Sequence, residues 1–228
     1  PVVVSYGPCK EEIQIGKEVD LLKFPWPYIH DGDGGRYGTV ATIIAKDLDS
    51  DWVNWAAYRH LVHSKNRLGM AFQKGQQTPN MYYFKYEPRN IPMPCCIAIG
   101  GDPALYHVSA MAAGPGVSEV DIAGGLRMEP IQLVKAETND LLVPADAEIV
   151  IEGEIRPQER GYEGPFGEYI GYIHGPRVPM PVLRVHAITH RKNPIFPFTA
   201  CGFRLDINPC TLGTVSMAGL YAHLKFER

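Results

Sequence analysis

The stretch of this sequence best suited to chemistry is residues 162–172, which read Y-E-G-P-F-G-E-Y-I-G-Y. It holds two carboxylates, Glu163 and Glu168, with glycines and a proline between them. Five residues turn an α-helix by about 500°, so the two acids would not share a helical face. In a strand, odd spacing would send them to opposite sides of the sheet. The glycines and the proline instead favour a tight turn that can bring the two carboxylates together.

Two carboxylates that meet beside Phe166 could perform general acid–base chemistry. Desolvation and mutual repulsion raise the proton affinity of at least one member of such a pair, which suits proton transfer near neutral pH. An exposed acidic turn is the alternative, and the composition leaves it equally open. The remainder of the chain has to decide between these two interpretations.

Length and composition define the class of protein. The chain has 228 residues, of which 45% are hydrophobic, enough to bury the core of one large domain or two small ones. A net charge of −3 with both signs mixed argues against nucleic acid as the main partner. No run of about eighteen apolar residues exists, so the sequence predicts no membrane span. The five cysteines lack C-x-x-C spacing, and we expect reduced, mostly buried thiols in a cytoplasmic protein: Cys9, Cys95, Cys96, Cys201 and Cys210.

Hydrophobic patterns predict many short strands and few helices. Apolar runs predict strands over residues 39–45, 147–155 and 179–190, and a short buried strand ending near Ile99. The aromatic run at residues 81–86 predicts another strand, and residues 52–73 favour a hairpin over a helix. Asp102 and Pro103 predict the start of a helix over residues 104–113. The spacing of Ile13, Val19 and Leu22 predicts a second helix.

These elements, with 23 glycines and 20 prolines, predict a β-rich α+β fold of barrel or sandwich type with helices at its edge. We expect one domain over residues 1–215, within which residues 1–25 could serve as a linker from a preceding segment. Residues 216–228 would begin a further segment that is cut short, because the chain lacks an initiator Met and ends within a helical pattern. In the loop before Thr39, His30 and Asp33 are candidate pocket residues, although such a His-Asp-Gly loop favours a solvated turn.

Four motifs together resemble the UbiD-type decarboxylases, which use prenylated FMN to remove or add a carboxyl group on unsaturated and aromatic acids. They are P-x-x-H-x-x-D-G-G-x-Y at residues 27–37, N-x-x-x-x-R at residues 54–59, G-V-S-E-x-x-x-A-G at residues 116–124 and E-G-P-F-G-E-Y-x-G-Y at residues 163–172. The match runs through most of the chain. It implies a β-rich, split-barrel-like flavin-binding domain with peripheral helices.

The resemblance also implies a catalytic triad of Arg59, Glu163 and Glu168. Arg59 would bind the substrate carboxylate, Glu163 would hold Arg59 in place, and Glu168 would donate a proton after CO2 leaves. The implied reaction is the reversible non-oxidative decarboxylation of an aromatic, heteroaromatic or α,β-unsaturated acid through a covalent prenylated-FMN adduct. A cofactor is needed because none of these side chains can take up the electron pair left on carbon.

By the same resemblance, a divalent ion, typically manganese, would bind Asn54 and Glu119 beside the cofactor phosphate. A family histidine is replaced here, and Gln77 or its neighbour Gln76 stands nearest, with His63 a weaker substitute. A potassium ion would lie near Trp55 and residues 108–111. The residues implied to contact the cofactor are Asn54, Trp55, Ala56, Ala57, Tyr58, Arg59, Gln76, Ser109, Met111 and Glu119.

The implied partners are a small-molecule acid and a flavin prenyltransferase that supplies the cofactor, and the full-length protein would form a homo-oligomer, either a dimer or a hexamer. Two other functions stay open. An FMN-binding oxidoreductase of the flavin-reductase type shares the split-barrel core, but hydride transfer requires neither the arginine nor the paired acids. A non-catalytic subunit of a carboxylase complex would be compatible with the missing histidine.

Overall fold

Strands make up most of the regular structure in the computed structural model, which describes residues 1–111, 113–168, 171–200, 202, 221 and 225. The strands are β1 (Val2–Val3), β2 (Glu12–Ile15), β3 (Tyr37–Gly38), β4 (Thr42–Lys46), β5 (Val53–Ala56), β6 (His60–Ser64), β7 (Arg67–Met70), β8 (Met93–Ile99), β9 (Gln132–Lys135), β10 (Leu142–Pro144), β11 (Ile149–Glu163), β12 (Phe166–Gly167), β13 (Ile173–His174) and β14 (Val178–His190).

The helices are short. They are α1 (Gln77–Met81), α2 (Pro103–Ser109) and α3 (Glu119–Arg127), with a π-helical turn at Tyr82–Tyr86 and 3₁₀ turns at Pro8–Lys10, Gly16–Glu18, Leu21–Lys23 and Glu87–Arg89. Helices α2 and α3 pack against each other and beside β5. Within the described ranges, no helix is long and apolar enough to cross a membrane.

One large antiparallel sheet organises the described residues. Its strands lie in the order β3-β6-β7-β14-β11-β8-β4-β5, and β2 pairs with β14 at the side. Two smaller sheets, β1-β9-β10 and β12-β13, complete the arrangement. The predicted fold class, β-rich with few helices, is therefore confirmed, and the described strands do not close into a barrel.

Both faces of the large sheet are buried at its central strand β8. In β8, Cys95 and Ile97 point into one apolar cluster, whereas Cys96 and Ala98 point into another on the opposite face. Side chains alternate across a strand, so a strand between two cores must be apolar at successive positions. This explains why its sequence is a continuous apolar run.

Most of the predicted elements are present. The strands predicted at residues 39–45, 147–155 and 179–190 correspond to β4, β11 and β14, and β6 and β7 form the predicted hairpin. Helix α2 is capped as expected, because the Asp102 carboxylate accepts a hydrogen bond from the Ala104 N–H at 2.8 Å. It ends at Ser109, earlier than predicted.

The strand predicted over residues 81–86 is wrong, because this run continues α1 as a π-helical turn. Tyr82 and Tyr86, four residues apart, are buried, whereas Phe84 is 64% exposed. That is a helical pattern with one buried face. The β-propensity of aromatic residues concealed it because every position but Lys85 carries a large apolar side chain.

The helix predicted from Ile13, Val19 and Leu22 is also wrong. Glu12–Ile15 is a strand that pairs with the edge of β14, and Ile13 and Leu22 are exposed. Val19 is the one buried residue of the three, so their helical spacing did not mark a shared core-facing surface, and backbone pairing decided the conformation of residues 12–15 instead.

Three of the cysteines, Cys9, Cys95 and Cys96, are free and buried, as predicted. Cys201, Cys210 and the domain boundary predicted at residue 215 lie outside the described residues. The single-domain interpretation of residues 1–215 stays a prediction.

Candidate active site

Arg59 lies at the centre of a partly buried cluster that contains both predicted carboxylates. Its Nε and Nη2 atoms donate to the two oxygens of Glu163, at 2.9 and 3.2 Å, and Nη1 donates to Glu168. The guanidinium carbon also lies 4.7 Å from the centroid of the Phe166 ring. Burial alone would lower the pKa of Arg59, but the hydrogen bonds and charges of the two glutamates raise it overall.

The two carboxylates meet Arg59 in different ways. Glu163 is the last residue of β11, and it makes a bidentate pair through a side chain that is only 3% exposed. Glu168 follows β12, makes a single contact, and is 19% exposed. A bidentate pair fixes geometry more strongly than a single bond. Glu163 is therefore the fixed partner of the arginine, and Glu168 is the more accessible acid.

The connection between the two acids is a tight turn, as the sequence predicted. Gly164 has a φ of +84°, a conformation that favours glycine, and the Gly164–Pro165 peptide is cis. A Cβ atom on Gly34 would collide with the Gly164 carbonyl group. The loop at residues 27–37 therefore packs directly against the turn, and both glycines are required for the close approach.

Asp33 holds this turn from the neighbouring loop. One of its carboxylate oxygens accepts from the Gly167 N–H at 2.8 Å, and the other accepts from the His30 N–H at 2.9 Å. Asp33 is only 4% exposed, so the expectation of a solvated turn is wrong for this residue. Asp33 fixes the peptide immediately before Glu168, and its effect on the site is one of position.

Tyr37 joins Glu163 to the same turn. Its hydroxyl lies 3.3 Å from Glu163 Oε1 and 3.3 Å from the Pro165 carbonyl oxygen, and it accepts from the Gly164 N–H at 3.1 Å. Its ring centroid is 4.6 Å from that of Phe166. Burial, followed by the charge of Glu163, raises the pKa of Tyr37 well above its usual range.

A cavity of about 340 Å³ is lined by residues of β5, α1, α2 and α3 and by the two residues that precede Arg59. It is lined by eight of the predicted cofactor-binding residues: Asn54, Ala56, Ala57, Tyr58, Gln76, Ser109, Met111 and Glu119. Arg59 is not in this lining, and Trp55 is buried behind it. A mixed polar and apolar cavity that follows the chain toward the arginine is suited to an elongated ligand with a polar end, such as a flavin mononucleotide.

One end of this cavity collects oxygen atoms. Asn54 Nδ2 donates to Gln77 Oε1 at 2.6 Å and to Glu119 Oε1 at 2.8 Å, while its Oδ1 accepts from Thr78 Oγ1 at 2.6 Å. The other Glu119 oxygen accepts from the Trp55 N–H at 3.0 Å. Burial is the main cause of a raised pKa at Glu119, and these hydrogen bonds oppose it.

This donor set fits a hard cation. Rotating the Asn54 amide by half a turn would point its oxygen toward those of Gln77 and Glu119, and the Thr78 hydroxyl could then accept from the amide nitrogen. Oxygen donors suit magnesium, manganese or calcium. No group of three or more His, Cys, Asp or Glu side chains suited to a metal was found in the described part of the chain, so the two amides would have to contribute.

The structure separates the three candidates for the missing histidine. Gln77 lies beside Asn54 and Glu119 and accepts a hydrogen bond from Asn54, whereas Gln76 lines the cavity. His63, on β6, instead bonds to the carbonyl oxygen of Tyr162, on β11, at 2.8 Å. Gln77 is therefore the residue placed to complete an oxygen site.

Sequence reasoning did not assign functional positions to Tyr37 or Thr78, and it favoured a solvated Asp33. Asp33 and Tyr37 belong to the glycine-rich motif at residues 27–37, and that membership was the available signal. Thr78 follows Gln77 directly, but nothing in its type or spacing predicted a bond to Asn54.

A second carboxylate–arginine–tyrosine cluster lies elsewhere in the molecule. Glu87 accepts from Arg160 Nη2 at 2.5 Å and from the Tyr82 hydroxyl at 3.0 Å, and the Arg160 guanidinium lies 5.6 Å from the Tyr82 ring centroid. We call Glu87, Arg160 and Tyr82 the reference cluster. Like the site, it has a carboxylate bonded by both an arginine and a tyrosine, but Arg160 makes one bond to Glu87 where Arg59 makes two to Glu163. It therefore provides control substitutions away from the site.

Comparison with known proteins identifies the family. Residues 2–204 match the model of the UbiD family, described as the 3-octaprenyl-4-hydroxybenzoate carboxy-lyase Rift-related domain. The chain therefore belongs to the UbiD family of carboxy-lyases.

Curated relatives and solved structures agree with this family. The chain is 36% identical to the pyrrole-2-carboxylic acid decarboxylase of Pseudomonas aeruginosa, over 96% of this chain and 44% of that protein. It is 35% identical to ferulic acid decarboxylase 1 of Saccharomyces cerevisiae, over 94% and 43%. The UbiD-class enzyme HmfF from Pelotomaculum thermopropionicum, in complex with FMN, superposes with a TM-score of 0.83 at 42% identity, over 88% of this chain and 45% of that one. The chain thus spans less than half the length of these relatives.

Proposed function

We propose that this protein catalyses the reversible, non-oxidative decarboxylation of an aromatic, heteroaromatic or α,β-unsaturated carboxylic acid with prenylated FMN. The observation that carries the proposal is the partly buried Arg59, held between two unequal carboxylates and directly following Tyr58, which lines a cavity of about 340 Å³. The relatives support the substrate class, since they are named for the decarboxylation of pyrrole-2-carboxylic and ferulic acids.

Arg59 is suited to binding the substrate carboxylate. A guanidinium group carries five N–H donors, and three of them are directed at Glu163 and Glu168. One N–H on each terminal nitrogen is left, and together they can hold a carboxylate. The pair with Glu163 prevents the side chain from rotating when the substrate enters or CO2 leaves.

Glu168 is suited to moving the proton. After CO2 departs, the substrate carbon must receive a proton, and in the carboxylation direction the same proton must be removed. Glu168 is the acid with a single bond to Arg59 and the larger exposure. Bound prenylated FMN would supply the electron sink for the pair left on carbon.

Asn54, Gln77 and Glu119 would hold a divalent cation, with manganese as the proposed ion, at the polar end of the cavity. The cation would fix the cofactor phosphate there by neutralising its charge. A potassium ion near Trp55, Ser109 and Met111 completes the proposed set. We also propose that a flavin prenyltransferase supplies the cofactor and that the full-length protein is a homo-oligomer.

The test uses full-length protein co-expressed with a flavin prenyltransferase. Native mass spectrometry should find a prenylated flavin, and a panel of aromatic and unsaturated acids should release CO2 and exchange labelled bicarbonate. A protein with no modified flavin would favour a non-catalytic subunit. Unmodified FMN together with oxidation of NADH or NADPH would favour the oxidoreductase.

Replacing Gln77 with alanine is expected to weaken manganese binding at least about tenfold, because one of three oxygen donors is lost. The Gln76→Ala variant is the matched control, since it removes a neighbouring amide that lines the same cavity. Metal titration of full-length protein measures both. Unchanged affinity in Gln77→Ala would exclude this residue as a ligand.

A further inference from the structure

The Tyr37 hydroxyl has one proton and lies between two possible acceptors, one of which is the Glu163 carboxylate. Two acceptors, Glu163 Oε1 and the Pro165 carbonyl oxygen, each lie 3.3 Å from the same hydroxyl. A hydroxyl has one proton, so only one of them can receive it at a time. The Gly164 N–H, which donates to the hydroxyl oxygen at 3.1 Å, fixes the position of that oxygen in either case.

The choice between the acceptors depends on the charge of Glu163. A charged carboxylate is a much stronger acceptor than a neutral carbonyl group, so the proton points to Glu163 when that acid is ionised. If Glu163 takes up a proton, the carboxylate loses this advantage and the hydroxyl can turn to Pro165. A hydrogen bond that is made only to the charged form favours the charged form.

We propose that Tyr37 is a positioning residue that keeps Glu163 ionised and bidentate on Arg59, so that the exchangeable proton of the triad resides on Glu168. This inference rests on the proposed function for its meaning in catalysis. The hydrogen-bond geometry and the complete burial of Tyr37 carry it. The raised pKa of Tyr37 agrees with it, because burial and the nearby charge keep the phenol protonated.

The surrounding groups do not duplicate this contact. Asp33 directs its carboxylate to the Gly167 and His30 N–H groups, and Arg177 donates to the Gly34 carbonyl oxygen. The titratable and charged groups facing the Tyr37–Glu163 pair from the packed elements are Arg59, Glu168, Asp33, His30, His63 and Arg177. Among the described residues, Arg59 and Tyr37 are those whose side chains hydrogen-bond to Glu163.

The inference makes a specific prediction for Tyr37→Phe, which removes the hydroxyl and retains the ring beside Phe166. Without its donor, the charged form of Glu163 should be less favoured. In full-length, flavin-loaded protein, the acid limb of kcat/KM should move to higher pH, while the plateau at higher pH changes little. Because only ionisation is altered, KM at the plateau should stay the same.

Two measurements test this together. The first is the pH–rate profile. The second is infrared titration of the substrate-free protein, in which Glu163→Gln identifies the Glu163 band. Tyr82→Phe is the control, because Tyr82 is also fully buried and its hydroxyl also lies within hydrogen-bond distance of a carboxylate, Glu87, and a carbonyl oxygen. It should move neither the acid limb nor the Glu163 band.

The outcomes separate the two proposals. A Glu163 band and an acid limb at the wild-type pH in Tyr37→Phe would overturn the role of Tyr37. The role of Tyr37 would also be overturned if Tyr82→Phe shifted the Glu163 band and the acid limb as much, since the effect would then be a general loss of packing. A shifted band in a protein that releases no CO2 from any acid would support Tyr37 and overturn the proposed function.

Discussion

Replacing Arg59 with lysine is expected to lower the rate of decarboxylation by at least about 10³-fold, because both the substrate fork and the bidentate pair with Glu163 are lost. Lysine keeps the charge but has a compact ammonium group that cannot bond two carboxylates and a substrate in one plane. It would also lose the stacked contact of the guanidinium with Phe166. Steady-state CO2 release by full-length, flavin-loaded protein measures the effect.

The Arg160→Lys variant of the reference cluster controls for stability. Arg160 also pairs with a carboxylate and lies over an aromatic ring, but it is more exposed than Arg59 and makes a single bond to its acid, so its replacement should cost less folding free energy. Thermal denaturation of both variants measures this stability cost, while the rate should fall in Arg59→Lys alone. Activity within a few-fold of wild type in Arg59→Lys would remove this residue from the mechanism.

Replacing Glu168 with glutamine is expected to lower turnover by about 10²–10⁴-fold, the usual contribution of a positioned general acid. The amide retains an oxygen that can accept from Arg59 Nη1, so the geometry is preserved and the transferable proton is lost. Flavin content and substrate affinity should stay close to wild type. Isotope exchange with labelled bicarbonate should fail to the same degree as CO2 release, since both directions use the same proton.

The Glu163→Gln variant should behave differently from Glu168→Gln. It weakens the bidentate pair, so Arg59 is less well held and KM should rise together with the loss in kcat. Glu87→Gln, from the reference cluster, should alter stability alone. If Glu168→Gln decarboxylated at the wild-type rate, the proton donor would have to be sought elsewhere.

Most strands could be predicted because their apolar or alternating pattern lies within a few neighbouring residues. The strands β4, β11 and β14 carry apolar runs or alternation that any short window reveals. The strand prediction for Tyr82–Tyr86 was wrong because the helical face of this run is visible only from the burial of Tyr82 and Tyr86 and the exposure of Phe84. β11 extends beyond residue 155 because its outer half pairs with β14 through a register shift, which no alternation within the strand announces.

The candidate site also combines features that the sequence predicts with features that depend on long-range contacts. Motif membership and residue type are written along the chain, so the family, the three charged residues that meet and eight of the residues that line one cavity could be predicted from it. The folded structure was needed to show that Glu163 makes two bonds to Arg59 and Glu168 one. It was also needed to place Gln77 beside Asn54 and Glu119, and to show that Tyr37 and Asp33 hold the turn. The bonds from Arg59 and Tyr37 to Glu163 span 104 and 126 positions, and contacts across such separations leave no periodic trace in the sequence.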